Sequence, residues 1–161
     1  MENDTIRQEA IRKHALEFLK SNYIMVVSTV SPSREPHAAT MYYVADDDFN
    51  IYFMTAAKSR KAANLRANSK IAFVIGTGPE VVTIQGSGTA MPLDEHEALV
   101  FYGLFERIAP ESSPRQWPLL RLAKKGDAFS TFRITPASMV LLNVHKEKYP
   151  DIAPDEFHVV I

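Results

Sequence analysis

The chain has 161 residues, 46% hydrophobic and 23% charged, enough apolar content for one buried core and too much for a disordered segment. Its formal net charge of -1 gives no overall attraction to nucleic acid or anionic membranes, so any anion site must be local. With no cysteine there are no disulfides, thiolate metal ligands or cysteine nucleophiles.

The first twenty residues are charged throughout and lack the apolar core of a signal peptide. No apolar run approaches the ~20 residues of a membrane span. A soluble cytoplasmic protein is the expectation, read as a single domain over residues 1–161.

Thr5 to about Lys20 reads as an amphipathic helix. Ile11, Ala15, Phe18 and Leu19 fall on one side, and Thr5 with Gln8 has capping-box spacing. Residues 24–30 and 37–44 read as strands joined by a Ser-Pro-Ser-Arg-Glu-Pro turn. Asp46, Asp47 and Asp48 precede a third strand at 49–55. They read as a polar hairpin turn, because no spaced further ligands follow as in a calcium loop. A short helix at 59–68 leads to a strand at 70–76, a Gly-Thr-Gly-Pro turn and a long strand at 81–91. Gly86 and Gly88 inside that strand signal a bulge or bend.

After Pro92 a helical insertion is expected to run to about residue 126. Asp94 and Glu97 are placed to cap it, Leu99, Val100, Phe101, Leu104 and Phe105 recur at helical spacing, and a second short helix is expected at 115–125. Two further strands, 127–135 and 138–145, and an edge strand at 157–161 complete the chain. Short strands with a few inserted helices predict a barrel-centred, β-rich α+β fold.

The chemistry concentrates where the third strand hands over to the short helix. The turn reads Thr55-Ala56-Ala57-Lys58-Ser59-Arg60-Lys61, with Ser59 placed to cap the helix beside three cations. Free N–H groups at a helix start, with that charge around them, suit a phosphate; a solvated basic turn is the competing reading.

The flanking blocks bear on that choice. Residues 25–30 and 36–44, then Ile51 to Thr55 with Ser59-Arg60-Lys61 and Asn64-Leu65-Arg66-Ala67-Asn68, then the glycine-marked strand 81–90 occur in this order. In this the chain resembles the pyridoxamine 5'-phosphate oxidase-like family of FMN-binding split β-barrels, over about residues 10 to 145. The resemblance implies a split antiparallel β-barrel with peripheral helices, pairing as a homodimer with flavin at the subunit interface. It implies that Met54, Thr55, Ser59, Arg60 and Lys61 hold the FMN phosphate, with Lys58 beside them. It also implies that the strand Ala39, Thr40, Met41 and Tyr42 lies along the ring, largely through main-chain groups. Relatives often carry an Arg at the start of that strand, where this chain has Ala38-Ala39. Gln85 either reaches a flavin held mainly by the partner subunit or faces outward as an ordinary strand glutamine.

The resemblance further implies an FMN-dependent oxidoreductase exchanging hydride or electrons with a small molecule. A pyridoxamine phosphate oxidase proper is not expected, because the stretch Asn143 to Tyr149 lacks the Arg-x-His element. The alternatives are a non-catalytic flavin-binding sensor or stress protein, or a relative that takes F420 or haem, with His37 or His145 as axial ligand. No catalytic residue is assigned. The five histidines show no metal-ligand spacing, so no metal site is predicted. Trp117 reads either as a wall above the flavin or as core.

Overall fold

The computed structural model of the chain describes residues 2–76, 82–94, 96–99, 101, 103, 129–144, 147–154 and 156–161. In chain order the elements are α1 (Glu2–Ser21), β1 (Ile24–Val30), β2 (Pro36–Ala45), β3 (Ile51–Ala56), α2 (Arg60–Ala67), β4 (Lys70–Ile75), β5 (Val82–Pro92), β6 (Phe129–Asn143) and β7 (Glu156–Val159).

Alternation along these segments sets which side chains face inward. Met25, Val27 and Thr29 of β1 are buried, as are Met41 and Tyr43 of β2, while the residues between them are more exposed; at the end of β2, Val44 and Ala45 are both buried. All strands pair antiparallel in the order β3-β2-β1-β4-β5-β6-β7, and a β3–β6 pairing closes the first six into a barrel. The core fills it: Phe53 stacks on Phe132 at 5.5 Å between centroids, and both are fully buried.

The two helices close different parts of this barrel. Ile11, Ala15, Phe18 and Leu19 of α1 are all buried. The Tyr43 hydroxyl donates to the Leu19 carbonyl at 2.7 Å, and burial pushes that phenol far above its ordinary range. Gly76, at φ +89°, turns the chain where a Cβ would meet the Phe18 ring at 2.6 Å. The same helix clasps the C-terminal strand, with Gln8 Nε2 donating to the Val159 carbonyl at 2.9 Å and Arg12 to that of Val160 at 2.7 Å. At the other end α2 lies against β1, β3 and β5. The helix α1 begins at Glu2, so Thr5 lies within it and not at its cap.

The expected pair of strands at 127–135 and 138–145 is one strand, β6, bent at a bulge. Its register against β5 shifts between Ser87 and Gly88, from Ser87↔Ser138 to Gly88↔Pro136, which leaves Ala137 as the extra residue. The break suggested by Pro136 is absorbed there. On its other flank β6 pairs with β3 only up to Ile134 and with β7 only from Val140, so Pro136 sits in a gap where a missing N–H goes unused.

The aspartate triplet forms the expected turn. Asp46 accepts from the Asp48 and Asn50 amides, from Asn50 Nδ2 and from the Tyr52 hydroxyl. Asp94 and Glu97 form a reciprocal capping box, each backbone N–H donating to the other's carboxylate at 3.1 and 2.8 Å. In the helical stretch that follows, Phe101 is buried and Leu99 exposed. The second helix expected at 115–125, Trp117 and His145 lie outside the described residues.

Candidate functional site

A cleft forms where the barrel leaves one edge unpaired. The strand β2 pairs with β1 along residues 36–42 but with β3 only at 43–45, while β3 pairs with β6 along its whole length, Ile51 to Ala56. Residues 36–41 of β2 therefore present every second N–H and C=O away from β1. Among the described residues no other backbone group pairs with that edge.

The chain leaving β3 turns back over this opening. Ser59 caps α2 in extended conformation and accepts from the Ala62 N–H at 3.2 Å; its hydroxyl also lies 3.1 Å from that of Thr55. Arg66, one helical turn further on, donates to the Ala57 carbonyl at 2.9 Å and to Ser130 of β6 at 2.7 Å, which ties the turn to the barrel.

The result is a cleft of about 410 Å³ walled by Val27 and Thr29 of β1, by Pro36 to Ala39 of β2, and by Arg60 and Lys61 of α2. Apart from His37, its side chains are small or apolar on the strand side, and they are cationic on the helix side. Lys61 is half-buried, and burial holds its ammonium below the ordinary lysine range. An anion entering here therefore meets a guanidinium, a poorly solvated ammonium and a helix N-terminus together.

The residues singled out from sequence fall into five groups. Ala39, Arg60 and Lys61 line the cleft, with Thr55 and Ser59 joined beneath the helix start. Lys58 is exposed in the turn. On β2, Thr40 and Tyr42 face the outer side, Tyr42 with its ring 6.4 Å from that of Tyr23, whereas Met41 faces the core. Met54 is buried. Gln85 is exposed on β5, three strands from β2 or ~14 Å across the sheet, and does not reach the cleft within one chain.

Sequence reasoning missed a buried polar pair. Asn64 Nδ2 lies 3.0 Å from Thr29 Oγ1 and 3.1 Å from His37 Nδ1, and Asn64 and Thr29 are 2% and 1% exposed. The signal was an asparagine beside Leu65 on the inner face of a short helix, where burial demands a partner. A second cavity, of about 350 Å³, lies under the 93–101 segment between Tyr52, His96, Glu97, Phe101 and Arg133. It shares no wall with the first.

Comparisons with known proteins place the chain in a family. The family model described as pyridoxamine 5'-phosphate oxidase matches residues 11–139, most of the chain. The chain belongs to this family. The match takes in every residue that walls the cleft, and with it the FMN-binding split-barrel assignment stands.

Among curated protein sequences none matches. Of the solved structures, the conserved hypothetical protein Rv2991 from Mycobacterium tuberculosis is similar at 22% identity and TM-score 0.65, over 88% of each chain. A putative pyridoxamine 5'-phosphate oxidase from Listeria innocua aligns at 19% identity and TM-score 0.62, over 82% of this chain and 98% of its own. The heme storage protein HutZ from Vibrio cholerae aligns at 16% identity and TM-score 0.61, over 78% and 89%. At these identities the likeness is one of fold.

Proposed function

We propose that this protein binds FMN in the cleft between β2 and α2 and works as a homodimeric oxidoreductase on a small molecule. The observation that carries the reading is the meeting, in one cleft, of two cations and an unpaired strand edge. A flavin phosphate needs charge and donors, and a planar ring with a polar rim needs main-chain N–H and C=O groups beside small side chains. Arg60 and Lys61 would neutralise the phosphate, with the α2 N-terminus adding amide donors. Ala38 and Ala39 would let the ring approach the edge of β2. The bound flavin would supply the hydride or electron exchange, and the protein would bind, orient and shield it.

The outer sheet face supports pairing of two chains. Ile24, Val26, Ser28, Thr40, Gln85 and Met91 point outward from β1, β2 and β5 without charge, β4 between them adds Val74 with Lys70 at its end, and Ile24, Val74 and Met91 are exposed large apolar groups. A second copy packed on this face would cover them and would bring its Gln85 toward the neighbouring cleft.

The test is an absorption spectrum of purified protein before and after FMN is added, with a Arg60→Ala/Lys61→Ala double variant beside it. Flavin bands that survive desalting in the native protein and vanish in the variant support the reading. A protein that ignores FMN sinks it, and a Soret band in its place points to haem. Turnover of reduced nicotinamide with an acceptor separates an enzyme from a flavin sensor.

A further inference from the structure

The cleft holds one polar side chain that the phosphate reading leaves unused. His37 is half-buried at the start of β2 and lines the same wall as Ala38 and Ala39, opposite Arg60 and Lys61. Its Nδ1 lies 3.1 Å from Asn64 Nδ2. An amide nitrogen carries two hydrogens and accepts none. Asn64 thus gives one hydrogen to the buried Thr29 hydroxyl at 3.0 Å and the other to His37. A neutral imidazole that accepts at Nδ1 carries its single proton on Nε2. Among the described residues His37 makes no other hydrogen bond, so that N–H is available to whatever enters the cleft.

We propose that Asn64 is a positioning residue that fixes His37 as the Nε2–H tautomer, and that this N–H is a third donor, with Arg60 and Lys61, to a phosphate monoester. The proposal rests on the reading of the cleft as an anion site and deepens it. Pro36, Ala38 and Ala39 have no side-chain donor, so His37 is the only residue β2 can send to the anion through its side chain. The tautomer also has a consequence for competing roles. With Nε2 protonated, that nitrogen has no free lone pair, so in this tautomer it serves as a donor and not as an iron ligand.

The experiment is nitrogen NMR of the full chain with isotope-labelled histidine, at a pH of about 8 where imidazole is ordinarily neutral. His37→Gln identifies the resonances. Inorganic phosphate, FMN and riboflavin are then titrated in separately. The expected result is the Nε2–H tautomer, with phosphate and FMN moving the Nε2 resonance and riboflavin leaving it in place. His37→Ala should weaken FMN binding about tenfold without changing riboflavin binding, and His37→Gln, which keeps a donor, should recover part of that loss. Asn64→Asp offers only acceptors and should reverse the tautomer to Nδ1–H.

A native His37 in the Nδ1–H form overturns the proposal whether or not the Asn64 variant folds. So does phosphate that binds without moving Nε2. If inorganic phosphate moves His37 while both flavins fail to bind, the inference stands and the FMN reading falls. If FMN binds tightly to a Nδ1–H His37, the inference falls alone.

Discussion

Replacing Gly88 with alanine tests whether the bulge in β6 is what lets the barrel close. A Cβ built on Gly88 would lie 2.3 Å from the Thr135 carbonyl oxygen and 2.9 Å from the Pro136 Cα, both backbone atoms. Comfortable carbon–oxygen contact begins at about 3.3 Å, so β6 would have to retreat by about 1 Å. It has little freedom to do so. It is paired with β3 as far as Ile134, and Met139 exchanges backbone hydrogen bonds with the C-terminal residues Val160 and Ile161. Overpacking of this kind costs about 1–3 kcal/mol, and the lower chain entropy of alanine in the unfolded state returns about 0.4–1 kcal/mol. The expected net loss is about 1.3 kcal/mol, or a fall in Tm of about 3–5 °C for a chain of this size. Urea and thermal unfolding of the ligand-free protein measure it. Gly86→Ala is the internal comparison: its Cβ would first meet the Phe73 ring at 2.4 Å and then the Ser138 carbonyl at 2.8 Å. A side chain yields more readily than a strand, so the loss should be smaller. A Gly88→Ala variant as stable as the native protein, or less affected than Gly86→Ala, would refute the argument.

Three other outcomes are expected. Burial lowers the Lys61 pKa from 10.5, and a bound dianion restores the charge, so phosphate affinity should be flat near neutrality and begin to fall below pH 10.5. Lys61→Arg should remove that alkaline loss in a binding titration. In the ligand-free protein the sign is opposite. There the folded state binds fewer protons than the unfolded chain between the lowered pKa and 10.5, so the destabilisation by Lys61 is relieved as pH rises through that window. Tyr52 is pushed up to about 12, by burial first and then by its hydrogen bond to Asp46. Its pKa lies above the unfolded value, so its stabilisation is complete below pH 10 and is lost as pH rises through about 12. Tyr52→Phe should remove the corresponding step from an alkaline tyrosinate titration. Arg12 donates to the Val160 carbonyl at 2.7 Å and sits over the Phe49 ring at 4.8 Å. Arg12→Ala should cost about 1–2 kcal/mol in urea unfolding and expose the C-terminal strand to hydrogen exchange.

Most of the barrel could be read from the chain because each strand carries its own alternation. Residues 24–30 match β1 to the residue, and the Ser59 cap was visible as a serine between a strand and a helix-forming run. What was misread depended on neighbours that sequence does not name. Pro136 argues for a strand break until one knows that β3 ends and β7 begins on either side of it. The cleft was half legible. Arg60 and Lys61 declare themselves by charge and spacing, whereas the partnership of Thr29, His37 and Asn64 joins two strands and a helix separated by up to 35 residues. Gln85 shows the limit differently: its strand was readable, its direction was not, and any flavin contact it makes would belong to another copy.

The opening in the barrel and the charge beside it have a common origin in β3. If β3 stayed with β2 to its end, its register would set Met54, Thr55 and Ala56 against Tyr42, Met41 and Thr40 and close the part of the free edge next to the cleft. Ile51, Tyr52 and Phe53 pair with β2 and β6 at once, whereas Met54, Thr55 and Ala56 keep only β6 as a neighbour. That departure carries Thr55 and Ser59 to one end of the barrel, where the chain must reverse, and the reversal is a capped helix start. Arg66 then ties the reversal back to β6 through Ala57 and Ser130. The strand that vacates the edge thus also delivers Arg60 and Lys61 to the cleft it leaves behind. A change in how Met54 to Ala56 are paired would alter the free edge and the position of the cations together, although none of the three lines the cleft.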